Sequence, residues 1–165
     1  MRIIGGKNKG KTIVPPSDNN TRPLRDIVKE AIFNLIEHSN KFDVLISDSN
    51  ILDLFSGSGS FGLECISRGA QRVVFIENYL SALKILNRNI SNIKGENISQ
   101  IIEKNCFDFF DQATTFNYQF ELIFLDPPYK EKKINLIIEK IKENKILKEN
   151  GIIIIHRHKN DEVEI

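Results

Sequence analysis

Apolar and polar positions follow one rhythm early in this chain and another after residue 50. From Arg25 the apolar residues Ile27, Val28, Ala31, Ile32, Leu35 and Ile36 recur at helical spacing until the stripe fades near His38. Beyond residue 50 short apolar runs alternate with helical stripes. Ile51 to Phe55 reads as a strand, followed by a glycine-rich turn and a helix that Gly69 stops. Arg72 to Glu77 is a second strand, and Leu80, Leu83, Leu86 and Ile90 mark one face of a helix running through Asn92. Ile98 to Glu103 predicts a third strand, with a short turn or helix around Phe107 to Phe110. Phe120 to Asp126 is a fourth strand, Ile134 to Ile141 a helix and Gly151 to His156 a fifth strand. Strands alternating with helices predict an α/β fold: a doubly wound parallel sheet with helices on both faces. Ahead of it, Arg2 to Ile4 and Lys11 to Val14 flank a Gly- and Lys-bearing tip, which reads as a basic hairpin. Residues 1–41 are thus expected to be a hairpin and helix extending the same domain, and residues 42–165 its core.

Composition narrows the class without naming a chemistry. The 165 residues suit one domain. Runs such as Ile152 to Ile155 are a strand's length, far below the ~20 apolar residues that span a bilayer. No apolar signal region opens the chain, and the two cysteines, Cys65 and Cys106, stand far apart. Both points suit reduced thiols and a cytoplasmic location. The net charge of +1 hides an asymmetry. Residues 1–41 hold eight Lys/Arg against four Asp/Glu, and the remainder fifteen against eighteen. A basic arm on a mildly acidic body suits a polyanionic partner met at one end; a solvated charged face is the plainer alternative.

The stretch Ile51-Leu52-Asp53-Leu54-Phe55-Ser56-Gly57-Ser58-Gly59-Ser60-Phe61-Gly62 carries the first chemical signal. Its glycines admit positive φ and close approach of a ligand, at the strand end where open α/β sheets bind ligands. The spacing matches the dinucleotide GxGxxG, a weak sign alone, and no Gly-Lys-Ser/Thr follows to make a P-loop. Asp53 would repel a pyrophosphate and attract a cationic group. S-adenosylmethionine, with an ammonium and a sulfonium and no phosphate, fits that charge, although Asp53 as a turn cap is the structural alternative. Glu77 ends the second strand, placed to accept both ribose hydroxyls of a nucleoside. Asn105 and the Cys106 amide follow the third strand, where they could meet an adenine; an Asn there is also a common turn residue.

Asp126-Pro127-Pro128-Tyr129 closes the fourth strand. The prolines fix φ and remove two donors, and Asp126 before a proline is held extended. The outcome is a rigid set of acceptors, the Asp126 carboxylate and Pro127 carbonyl, beside an aromatic ring. Two acceptors on the two N–H bonds of a nucleobase amine would free its lone pair, while Tyr129 stacks on the base. A plain strand-ending turn is the alternative. His156 and His158 form an HxH that lacks a third ligand, so no metal is expected.

Together these residues resemble class I S-adenosylmethionine-dependent methyltransferases that modify amino groups, and the opening narrows the likeness. Arg2-Ile3-Ile4-Gly5-Gly6-Lys7, Thr21-Arg22-Pro23, Asp26 and Val28-Lys29-Glu30-Ala31-Ile32-Phe33-Asn34 resemble the bacterial 16S rRNA guanine-N2 methyltransferase family, the small-subunit rRNA methyltransferase D type acting on guanine 966. The likeness runs from residue 1 to about residue 157. It implies a Rossmann-like sheet, S-adenosylmethionine as cofactor with no metal, and a monomer. The implied substrate is 16S rRNA, free or in the assembling small subunit, with no membrane partner. Carried over residue by residue, it implies catalytic Asp126, Pro127, Pro128 and Tyr129. The implied cofactor contacts are Asp53, Phe55, Ser56, Gly57, Ser58, Gly59, Glu77, Asn78, Asn105 and Cys106. Arg2, Lys7, Lys9, Lys11, Arg22 and Arg25 are the expected RNA contacts. Leu24 and Arg25 stand where the family has Thr, and Ile27 where it commonly has Arg. The family's final strand pair beyond the fifth strand is expected to be missing, which would leave one sheet edge open.

Other readings remain at this point. A DNA adenine-N6 or protein-glutamine N-methyltransferase shares the tetrad, although the chain is short for a DNA-recognition domain and its basic opening favours RNA. A nicotinamide-dependent oxidoreductase shares the glycines but is opposed by Asp53. A non-catalytic RNA-binding module is opposed by the intact tetrad.

Overall fold

The computed structural model describes residues 1–18, 23–111 and 116–157. In chain order it holds α1 (Asp26–His38), β1 (Asn50–Leu54), α2 (Ser60–Ser67), β2 (Arg72–Glu77) and α3 (Leu80–Asn92). A single 3-10 turn at Glu96–Ile98 leads into β3 (Ser99–Glu103), α4 (Cys106–Asp111), β4 (Phe120–Leu125), α5 (Ile134–Glu143) and β5 (Leu147–Ile155). The five strands form one sheet in the order β3-β2-β1-β4-β5, every neighbouring pair parallel. The chain order reverses between β1 and β4, so the crevice at their carboxyl ends is the ligand-binding position of such sheets.

Alternation along the strands sorts the core into two layers. Ile51, Val73, Phe75, Leu122 and Phe124 face the layer of α2 and α3, together with Ile3, Ile13, Leu24 and Phe33 from the N-terminal segment. Leu52, Leu54, Val74, Ile76, Ile123 and Leu125 face the other layer, where Phe109 of α4 and Ile137 and Ile141 of α5 cover them. Phe61 stacks on Phe124 with centroids 3.9 Å apart and on Phe33 at 5.1 Å, joining α1, α2 and the sheet. Burying each such ring contributes roughly 1.5–3 kcal/mol. Gly62 permits the close seating of α2: a Cβ there would lie 2.2 Å from the Phe75 ring.

The N-terminal hairpin makes one antiparallel bridge, Arg2 with Thr12, and its tip is bonded to the end of α2. The Lys7 amide donates to the Ser67 carbonyl at 2.9 Å, and the Asn8 amide to Ser67 Oγ at 2.9 Å. The first of these bonds satisfies a carbonyl that a helix C-terminus leaves open.

Strand boundaries differ from the sequence expectation: β1 spans Asn50–Leu54, so Phe55 falls past it, and β4 ends at Leu125, so Asp126 falls past it. The β3 run begins at Ser99, because Glu96–Ile98 winds into the 3-10 turn. The β5 strand begins at Leu147, four residues before Gly151. A register shift between Phe120 and Leu122 accommodates the polar stretch Lys148-Glu149-Asn150, which masks the strand's alternation. His156 consequently falls just past β5, and His158 lies outside the described residues. Among the described residues β5 has β4 as its one neighbour. No described helix is long and apolar enough to cross a membrane.

Candidate active site

Parallel register brings the chemistry-bearing residues to one edge. Leu54 pairs with Ile76 on one side and Leu125 on the other, and Leu125 pairs with Ile155. The next residue of each strand therefore falls in a single row: Glu77, Phe55, Asp126 and His156. Above this row opens a cavity of about 510 Å³. Twelve of the residues singled out from sequence line it: Asp53, Phe55, Ser56, Gly57, Ser58, Glu77, Asn78, Asn105, Asp126, Pro127, Pro128 and Tyr129. Gly59 and Cys106 do not. Sequence reading missed Leu24, Tyr79, Phe107 and Glu131, which also line it and carry no motif of their own.

Asp53 lies on the α2 side of β1 and is 1% exposed. Its Oδ2 accepts the Gly62 amide at 3.0 Å, satisfying a donor in the first turn of α2. It thus acts as a helix cap while also lining the cavity. Burial, reinforced by the nearby Asp126 and Glu77 carboxylates, pushes its carboxyl well above the usual range against the pull of the Gly62 amide. Phe55 leaves β1 at φ 57 and Gly59 enters α2 at φ 85. Left-handed backbone costs a phenylalanine about 1–3 kcal/mol, and such outliers collect at ligand sites.

Glu77 reaches back over the glycine turn. Its Oε2 accepts the Gly57 amide at 2.8 Å, and its Oε1 accepts the Asn78 and Tyr79 amides at 2.9 Å each. A carboxylate has about four acceptor sites, so this geometry leaves one, on Oε2. A ribose diol would make one direct bond here unless an amide is released, in place of the expected pair. Asn105 shows the turn role weighed from sequence: its Oδ1 accepts the Phe107 amide at 2.9 Å, capping α4. Cys106 is 3% exposed and turned into the core beside Phe109. Burial pushes its thiol up to about 12, so it is no nucleophile.

In the tetrad, Pro127 is buried, and Pro128 and Tyr129 are exposed, Tyr129 by 61%. Asp126 Oδ1 is 2.8 Å from His156 Nδ1. That contact was invisible in the sequence, since it depends on the β4–β5 register. Among the described residues no group of three or more metal-ligating side chains occurs.

The basic set divides. Arg2, Lys7, Lys9, Lys11 and Arg25 are exposed, and Arg22 lies outside the described residues. Lys29, counted in the basic arm by sequence, is fully buried on the face of α1 that carries Phe33 and Ile36. Its Nζ donates to the Arg2 carbonyl at 2.7 Å and pairs with Glu64 Oε2 at 3.5 Å. The same Glu64 accepts the Ile4 and Gly5 amides and pairs with Arg68 Nε at 2.9 Å. Burial lowers the Lys29 ammonium against the pull of Glu64. Its place at the 29/33/36 spacing was the available signal.

A family sequence model described as "Conserved hypothetical protein 95" matches residues 1–164. The candidate rRNA methyltransferase YlbH of Bacillus subtilis is 34% identical over 100% of this chain and 85% of its own length. The ribosomal RNA small subunit methyltransferase D of Haemophilus influenzae is 32% identical over 97% of this chain and 80% of its own. The solved structure of yhhF, a candidate methyltransferase from Escherichia coli, superposes with a TM-score of 0.82 at 26% identity, covering 100% of this chain and 84% of that one. A fold shared over the whole of this chain, the matching sequence model and relatives above 30% identity agree: the chain belongs to the conserved hypothetical protein 95 family and is a relative of the small-subunit ribosomal RNA methyltransferase D proteins.

Proposed function

We propose that this chain transfers the methyl group of S-adenosylmethionine to the exocyclic N2 amine of a guanine in 16S rRNA, guanine 966 in the bacterial numbering. The observation that carries this reading is the opening of the Asp126-Pro127-Pro128-Tyr129 corner onto the same cavity as the glycine turn. The cavity's charge fits the cofactor. Asp53, Glu77, Asp126 and Glu131 line it, with no Lys, Arg or His among the described lining residues. Such a site favours a cation and disfavours a pyrophosphate, which speaks against a nicotinamide dinucleotide.

Bound here, S-adenosylmethionine would supply an electrophilic methyl on a sulfonium. Asp53 and the α2 terminus would hold its amino acid end, and Glu77 its ribose. The Asp126 carboxylate and the Pro127 carbonyl accept the two N–H bonds of the guanine amine, drawing the nitrogen toward tetrahedral geometry. Tyr129, exposed at the rim, stacks on a base turned out of its RNA context. The acceptors bind more strongly as positive charge develops on nitrogen, so they favour the transition state over the ground state. The extra proton passes from the nitrogen to water after attack, so no base is needed beforehand and catalysis is chiefly positioning. The exposed Arg2, Lys7, Lys9, Lys11 and Arg25 would take RNA phosphates.

Transfer of labelled methyl to naked 16S rRNA, assembled small subunits and DNA tests the reading. Label in N2-methylguanine of either RNA substrate is expected. Label in adenine of DNA, or in no nucleic acid, would overturn it.

A further inference from the structure

The two residues after β5 grip the tetrad loop from beneath. The His156 amide donates to the Leu125 carbonyl at 2.9 Å, extending the β4–β5 ladder one step past the strand. The His156 ring meets Asp126 Oδ1 at 2.8 Å, each side chain 19% exposed. A carboxylate only accepts hydrogen bonds, so Nδ1 must carry the hydrogen. Arg157 Nη1 donates to the Glu131 carbonyl at 2.8 Å, and the Glu131 amide donates to the Pro128 carbonyl at 2.9 Å. The loop is therefore fastened at its beginning, at residues 125 and 126, and at its end, at residue 131.

His156 is Asp126's one hydrogen-bonding partner among the described residues. A carboxyl group turns about a broad terminal torsion, and three other carboxylates line the same cavity. Untethered, Asp126 would rotate and spread its two oxygens over many directions. With Oδ1 held by the imidazole, the plane of the carboxylate is set and Oδ2 keeps both of its acceptor sites. Catalytic groups must be held within roughly 10–20° of the productive direction to be effective.

We propose that His156 is a positioning residue for methyl transfer. Its Nδ1–H, held to Asp126 Oδ1 through the β4–β5 register, orients the carboxylate so that Oδ2 meets the amine to be methylated. This rests on the function proposed above.

The test compares His156→Ala and His156→Asn with the parent in single-turnover methylation of 16S rRNA at saturating cofactor. Asn places an amide N–H near the position of Nδ1–H, whereas Ala removes the donor. His156→Ala should slow transfer about tenfold to a hundredfold, the usual effect of loosening a reacting group. Affinities for S-adenosylhomocysteine and RNA should be unchanged, and His156→Asn should recover most of the rate. A parental rate in His156→Ala would overturn the proposal. Recovery no better in Asn than in Ala would overturn it too, since that marks a packing role. Ring-nitrogen NMR reads the contact without any methyl transfer. The Nδ1–H signal of His156 should shift in Asp126→Ala, and identical spectra would overturn the proposal. A parent inert on rRNA whose Nδ1–H signal still depends on Asp126 would overturn the rRNA assignment while supporting the contact.

Discussion

The Glu77 carboxylate accepts the Gly57 amide at 2.8 Å, joining the end of β2 to the glycine turn twenty residues earlier in the chain. One side chain thereby shapes the turn and faces the proposed ribose position. Glu77→Ala should weaken S-adenosylhomocysteine binding by about 1.5–3 kcal/mol, the usual loss for a hydrogen bond to a charged group. Glu77→Gln should lose less, because its amide oxygen can still accept the Gly57 N–H. Calorimetric titration of the folded variants checks this; equal affinity in Glu77→Ala would remove Glu77 from the site.

Asp53 makes stability and binding pull in opposite directions. Its folded-state pKa is raised, so without ligand the protein loses stability as pH climbs from the unfolded value of about 3.9 through the folded one. Asp53→Asn removes that penalty and keeps an oxygen for the Gly62 amide. Its melting temperature should exceed the parent's at neutral pH, with the gap shrinking toward about pH 4. The same variant should bind S-adenosylmethionine more weakly. A melting difference independent of pH would contradict the assignment.

The exposed hairpin cations make RNA binding salt-dependent. For single-stranded contacts the logarithm of affinity should fall with the logarithm of salt concentration by about 0.7 per phosphate engaged. Neutralising Lys7, Lys9 and Lys11 together should flatten that slope and leave S-adenosylhomocysteine affinity alone. A slope equal to the parent's would return these lysines to a solvated face.

Lys29 ties the N-terminal segment to α2 through the Arg2 carbonyl and Glu64. Lys29→Ala removes one partner of a buried pair, a change that costs about 3–5 kcal/mol. Lys29→Met should cost less, since it preserves the aliphatic volume that Lys29→Ala empties, while in both variants Glu64 keeps Arg68 and two amides. Chemical denaturation ranks the two variants; equal stability of Lys29→Ala and the parent would contradict the structural role.

What could be read from sequence followed the physics of each signal. The strands β1, β2 and β4 announced themselves because, buried on both faces, they are nearly continuous apolar runs. The start of β5 was hidden because its bulge carries Lys148, Glu149 and Asn150, which break the alternation. Asp53, Glu77 and the tetrad stood at predicted strand ends, so their convergence followed from parallel topology alone. The Asp126–His156 contact did not, because strand order and register are long-range properties that no local window encodes. Likewise Lys29 counted as surface charge, although its spacing with Phe33 and Ile36 placed it on the buried face.

Removing the amine's acceptor bears most directly on the proposed chemistry. Single-turnover methylation of 16S rRNA with saturating labelled cofactor, followed by digestion to nucleosides, reads rate and methylated atom together. The parent should yield N2-methylguanosine. Asp126→Ala should bind S-adenosylhomocysteine nearly as the parent does yet transfer methyl orders of magnitude more slowly, with Asp126→Asn in between. Tyr129→Phe should be mild and Tyr129→Ala severe if the ring acts by stacking. Transfer by Asp126→Ala at the parental rate, or label on an atom other than guanine N2, would contradict the account.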